Sequence, residues 1–302
     1  MAKTIPGGSG VSRVFPGSLT PGPPASPWEV VKTWKWGDES AHTFSDGTAQ
    51  AFQGINFTSR NTALADSLEV KASGLEIGIT ASESTSRWYH TTQTGPIVFA
   101  TLSDIVGSYS LKDTIVIQCL METEVDTIQS DGNAGNQHVY AGLVVSDGGY
   151  GSGASGNWYH NCWYRQLSAS TNNYMARYGG GNTPSDAGDP IVLGSTGDGP
   201  PTFLELVIYP ATGWTTGMSL DTSFQDPLSV STGVYHGNMQ TSIPKDIGSG
   251  GGNTSPGTNP DFTLRPGNIK VGMWAAYLTT GGSRGSAVTT TFKQFRVLKR
   301  KA

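Results

Sequence analysis

Thr114-Ile-Val-Ile-Gln-Cys-Leu-Met-Glu-Thr-Glu124, His138-Val-Tyr-Ala-Gly-Leu-Val-Val-Ser146 and Asn157-Trp-Tyr-His-Asn-Cys-Trp-Tyr-Arg-Gln-Leu167 read as three consecutive β-strands. Two-residue alternation puts Ile115, Ile117, Cys119 and Met121 on one face of the first strand and Gln118, Glu122, Glu124 and Asp126 on the other. The apolar face belongs to a core, so the odd-numbered residues from Ile115 to Val145 in the first two strands are expected to fill it.

The same pattern extends outward from this segment. Trp28–Trp36 is an aromatic-rich strand, and Phe44, Phe52, Ile55 and Phe57 mark short runs separated by turn residues. Ser67-Leu-Glu-Val-Lys-Ala and Leu75-Glu-Ile-Gly-Ile-Thr80, joined at Ser73-Gly74, form a hairpin signal. Further strands are expected at Pro96–Leu102, Phe203–Tyr209, Trp214–Leu220, Asn268–Tyr277 and Ala287–Leu298. Residues 168–200 and 248–260 are polar and glycine-rich and read as loops. No convincing amphipathic helix and no solenoid-type repeat is present. Gly 41 and Pro 17 make up about a fifth of the 302 residues, against a usual share of about 12%, while charged residues are only 14%. The expected fold class is therefore all-β, a two-sheet antiparallel sandwich.

Residues 1–27 are rich in proline and glycine and cannot bury enough apolar surface alone to offset their ordering entropy. They are expected to form an extended arm that docks on a partner subunit through Val11, Val14, Phe15 and Leu19, leaving residues 28–302 as one sandwich domain. The first residues lack the apolar stretch of a signal peptide, and no run of about 18 apolar residues offers a membrane helix. A net charge of −4 gives no electrostatic basis for nucleic-acid binding.

Several stretches together resemble the concanavalin A-like lectin/glucanase jelly-roll superfamily. They are Tyr140-Ala-Gly-Leu-Val-Val, Asn157-Trp-Tyr-His, Phe203-Leu-Glu-Leu-Val-Ile, Ile269-Lys-Val-Gly-Met-Trp and Thr291-Phe-Lys-Gln-Phe-Arg-Val. The resemblance spans roughly residues 28–300 and implies a jelly roll. Phe292 and Phe295 are three apart and can both face the core if a bulge lies between them. Many hydrolases of this superfamily carry Glu-x-Asp-x-x-Glu on one strand of the concave sheet. Here the stretch is Glu124-Val-Asp-Thr-Ile-Gln129, and an amide at Gln129 cannot serve as the acid/base carboxyl. On that ground no catalytic residue is assigned and a non-enzymatic protein is expected.

His42, His90, His138, His160 and His236 are scattered, with no pair at ligand spacing, so no metal site and no cofactor is expected. Asp131-Gly-Asn133 and Ser146-Asp-Gly-Gly149 are turn signals; relatives of this fold often hold Ca2+, which is the alternative for these turns. Cys119 and Cys162, placed on the first and third strands of a meander, would lie about 10 Å apart and stay reduced. Trp-Tyr-His occurs twice, as Trp88, Tyr89, His90 and as Trp158, Tyr159, His160. Some of these rings must pack in the core; the rest suit a glycan surface or a subunit interface.

The function expected from these features is a structural protein of a phage virion surface, a head decoration, tail or fibre-associated subunit. Its partners would be other virion subunits and copies of itself, with a trimer as the expected form, and a surface glycan bound for host attachment. The alternative is a glycoside hydrolase or lyase of the same superfamily.

Overall fold

A computed structural model of the chain describes residues 26–79, 95–110, 113–125, 137–146, 158–166, 172–179, 191–196, 202–209, 213–219, 222–227, 269–279 and 288–301. The described strands run, in order, β1 (Trp28–Lys35), β2 (His42–Thr43), β3 (Ala49–Phe52), β4 (Ile55–Arg60), β5 (Ser67–Lys71), β6 (Gly74–Ile79) and β7 (Ile97–Thr101). A five-residue helix α1 (Leu102–Val106) leads to β8 (Ile115–Val125), β9 (Gln137–Ser146), β10 (Trp158–Gln166), β11 (Asn172–Gly179) and β12 (Ile191–Thr196). Then follow β13 (Phe203–Tyr209), β14 (Gly213–Ser219), β15 (Lys270–Thr279) and β16 (Val288–Arg300).

These strands form an antiparallel jelly-roll sandwich. Sheet A has the order β14-β13-β8-β16-β6-β5-β2, with β1 also paired to β16, and sheet B has β12-β11-β10-β9-β15-β7-β4-β3. The expected alternation holds. Ile115, Ile117, Cys119 and Met121 of β8 and Ala141, Leu143 and Val145 of β9 lie in one core with Val297, Leu206 and Val271. An aromatic cluster fills one region of that core. Trp34 and Trp36 stack at 6.3 Å, Phe57 meets both edge-on, and Phe295 lies 5.5 Å from Trp34. The Trp34 indole N–H donates to the Phe52 carbonyl at 3.2 Å.

The expected bulge is present in β16. The register against β8 shifts between Phe292 and Gln294, so Phe292 pairs with Met121 and Phe295 with Cys119. Both rings are fully buried in the core. At the same place β16 changes its second neighbour, pairing with β6 up to Phe292 and with β1 from Gln294 onward.

The three strands of the opening segment are not a meander. β8 lies in sheet A between β13 and β16, whereas β9 and β10 lie side by side in sheet B. Cys119 and Cys162 are therefore on different sheets. Cys119 is a free thiol, wholly buried, and burial pushes its pKa far above the ordinary thiol range. Two strands, β11 and β12, occupy stretches that the sequence presents as polar loop.

Candidate functional site

Sheet A carries two different surfaces on the side away from the core. One is open and polar, and Glu122 and Glu124 of β8 project from it, both exposed. Across the sheet, Glu122 pairs with Thr291, which pairs with Glu76, which pairs with Glu69. A second row runs Glu124, Thr289, Gly78 and Ser67. Paired residues on antiparallel neighbours point to the same side, so the rows make one continuous strip across β8, β16, β6 and β5. At about 4.8 Å per strand step the strip is about 14 Å wide.

Lysines hold part of this strip. Lys293, the residue extruded by the bulge, reaches Glu122 at 3.0 Å. Lys71 bridges Glu69 at 2.8 Å and Glu76 at 2.9 Å, and the Ser67 hydroxyl donates to Glu76 at 2.8 Å. Burial alone would raise the Glu76 pKa, but the hydrogen bonds from Lys71 and Ser67 outweigh it and hold the carboxyl below its usual range. The same contacts, with Glu69 first, raise Lys71. Glu124 has no partner among the described residues. Two residues of β-strand separate Glu122 from Glu124 by about 6.7 Å. Their side chains can therefore reach the separations of about 5–9.5 Å that carboxyl pairs use in glycoside cleavage.

The other surface is closed. Glu205, Gln118 and Arg296 are directly paired across β13, β8 and β16, and Glu205 and Gln118 are fully buried although they face away from the core. Gln118 donates an amide N–H to Glu205 and accepts from Arg296 Nε at 2.6 Å. Residues 222–227 lie over this row.

The sequence-predicted residues fall as follows. The arm anchors Val11, Val14, Phe15 and Leu19 lie outside the described residues, as do Trp88, Tyr89 and His90 and the Asp126–Gln129 part of the hydrolase-like stretch. Trp158, Tyr159 and His160 begin β10, in register with Ser146, Val145 and Val144 of β9. Their side chains are outside the described set. Among the described residues no group of His, Cys, Asp or Glu could hold a metal ion. What sequence reasoning missed is the buried Glu205–Gln118–Arg296 row, because its cover comes from a segment more than a hundred residues along the chain from Gln118.

No family model and no curated protein matches the chain. Solved structures do. An alginate lyase from Pseudomonas aeruginosa shares 13% identity at a TM-score of 0.40, over 75% of this chain and 83% of that one. Alginate lyase A1-II′, a member of polysaccharide lyase family 7, shares 11% identity at a TM-score of 0.33, over 76% and 81%. A variant of A1-II′ in complex with substrate shares 10% identity at 0.36, over 76% and 79%. At this identity the likeness concerns the fold, and no residue role or substrate is carried over from these proteins.

Against the expectation of a non-enzymatic protein, these neighbours are all named as enzymes. That expectation rested on Gln129, which bears only on a hydrolysis that needs a proton donor at that position and is silent on eliminative cleavage. None of the matched structures is a virion component, so the expected virion location gains no support from them.

Proposed function

We propose that this chain is a polysaccharide-cleaving enzyme of the jelly-roll class, a glycoside hydrolase or lyase, that takes its polymer across the open face of sheet A. The supporting observation is the pair Glu122 and Glu124, which stand exposed on one face of β8 beside a polar strip about four strands wide. Lys293 lies 3.0 Å from Glu122, and in a hydrolytic reaction Glu122 is the carboxyl placed to stabilise developing positive charge. Glu124 lacks such a partner among the described residues and is the proton carrier of the pair.

The test is cleavage of a panel of neutral and uronic-acid polysaccharides by the wild type, Glu122→Gln and Glu124→Gln. New reducing ends without ultraviolet absorbance identify a hydrolase, and an unsaturated uronate product identifies a lyase. Glu124→Gln should lower the rate by about 10²–10⁴-fold, the usual contribution of general acid–base catalysis. Wild-type inactivity on the whole panel, or full activity of both variants, would discard this reading. Retention of a glycan without cleavage would leave a binding protein instead.

A further inference from the structure

The closed half of sheet A's outer face is unusual in how it is closed. Apolar groups lie on both sides of the Glu205–Gln118–Arg296 row: Leu120 and Phe203 with Phe224 on one side, and Val116, Val207 and Leu298 with Trp28 on the other. An apolar row between them would seal the segment 222–227 equally well, because a buried ionic group rarely stabilises more than a packed hydrophobic one. What the polar row adds is direction. The Gln225 backbone carbonyl accepts from Gln118 Nε2 at 3.0 Å and from Arg296 Nη2 at 2.6 Å. The same guanidinium lies 4.2 Å over the Phe224 ring. These contacts converge on two adjacent residues and fix where the segment stops along the sheet.

We propose that residues 222–227 are a strap latched by Arg296, and that the strap is the wall ending the open carboxylate face, which makes Arg296 a positioning residue for the polymer. Phe224 packs on the cluster of Leu120 and Phe203, and Leu120 lies two residues before Glu122 on the same face of β8. The wall therefore stands about 6.7 Å from Glu122 along the strand. A polymer cannot continue along β8 past that point and must lie across β8, β16, β6 and β5. Burial pushes the Arg296 pKa down while Glu205 and Asp226 push it back up, in keeping with a cation retained under the strap. The latch stands on its own geometry; only its effect on polymer rests on the function proposed above.

The experiment is hydrogen exchange on the full chain for the wild type, Arg296→Met and Arg296→Lys. In Arg296→Met the amides of residues 223–226 should exchange about tenfold to a hundredfold faster, the range for loss of a charge-assisted hydrogen bond, while those of β5 and β6 stay protected. Arg296→Lys should fall between, since it keeps the charge beside Glu205 and Asp226 but not the planar fork. If Arg296→Met does not fold, the lysine variant decides. Unchanged strap exchange in a folded variant, or loss of strap and sheet protection together, overturns the latch. With a cleaved polymer in hand, Arg296→Lys should raise KM and alter product lengths with little change in kcat; unchanged KM and products would overturn the wall. If the wild type cleaves nothing, the enzymatic reading fails, while the exchange measurement still decides the latch.

Discussion

Deleting Lys293 should leave the sandwich folded. The register shows why. Phe292 pairs with Met121, Gln294 with Leu120 and Phe295 with Cys119, so Lys293 is the one residue of this stretch without a partner on β8. Removing it leaves a single residue between the two phenylalanines, and ordinary alternation then turns both toward the core. No buried apolar group is lost. The ion pair with Glu122 disappears, but its side chains are 35% and 59% exposed, so it contributes no more than about 0–1 kcal/mol. Deleting Arg296 is the contrast. Alternation then turns Val297 outward, a loss of about 1.5–3 kcal/mol, and removes the charge-assisted hydrogen bonds from Arg296 to Gln118 and to the Gln225 carbonyl, about 1.5–3 kcal/mol each. Thermal unfolding followed by circular dichroism should show a fall of a few degrees for the first deletion, at about 2–4 °C per kcal/mol, and gross destabilisation for the second. A Lys293 deletion that unfolds, or that costs more than about 3 kcal/mol, would refute the assignment of Lys293 as the inserted residue.

Three more outcomes are expected. Gly74 has φ +140°, and a Cβ there would sit 2.6 Å from the Phe292 carbonyl oxygen, so Gly74→Ala should cost about 1–3 kcal/mol in urea titration. Because the folded Glu76 pKa lies below its ordinary value, its contribution is present above the unfolded pKa and fades as pH falls through the folded one. Glu76→Gln should therefore flatten the acid limb of the stability–pH curve between those two values and, because Glu76 also helps raise Lys71, lessen the loss of stability as pH rises through the folded Lys71 pKa. Cys119 should resist thiol reagents in the native protein and react once denatured, and rapid native labelling at Cys119 would contradict its burial.

Local pattern carried much of this architecture and long-range order carried the rest. Alternation in β8 and β9 identified which side of each strand is buried, and the three-residue spacing of Phe292 and Phe295 announced the bulge. Alternation cannot tell one sheet from the other, since each buries one face in the same core; hence β8 and β9, adjacent in sequence, parted company in space. Asn172 to Gly179 became a strand despite asparagine and glycine, whose weak strand preference yields to pairing with β10. For the site, the exposure of Glu122 and Glu124 was legible because nothing described covers them. Gln118 obeyed the same alternation and yet is buried, because a remote segment lies over it.

β16 is the latest strand in the chain among those described, and it pairs with β1, β6 and β8. During synthesis those three strands emerge first and must wait, each with an edge unsatisfied, until β16 has left the ribosome. Sheet A therefore cannot mature in stages from its N-terminal end. Nascent chains keep these edges open to edge-to-edge aggregation until β16 emerges, and a stop that removes β16 should be as damaging as one just after β8.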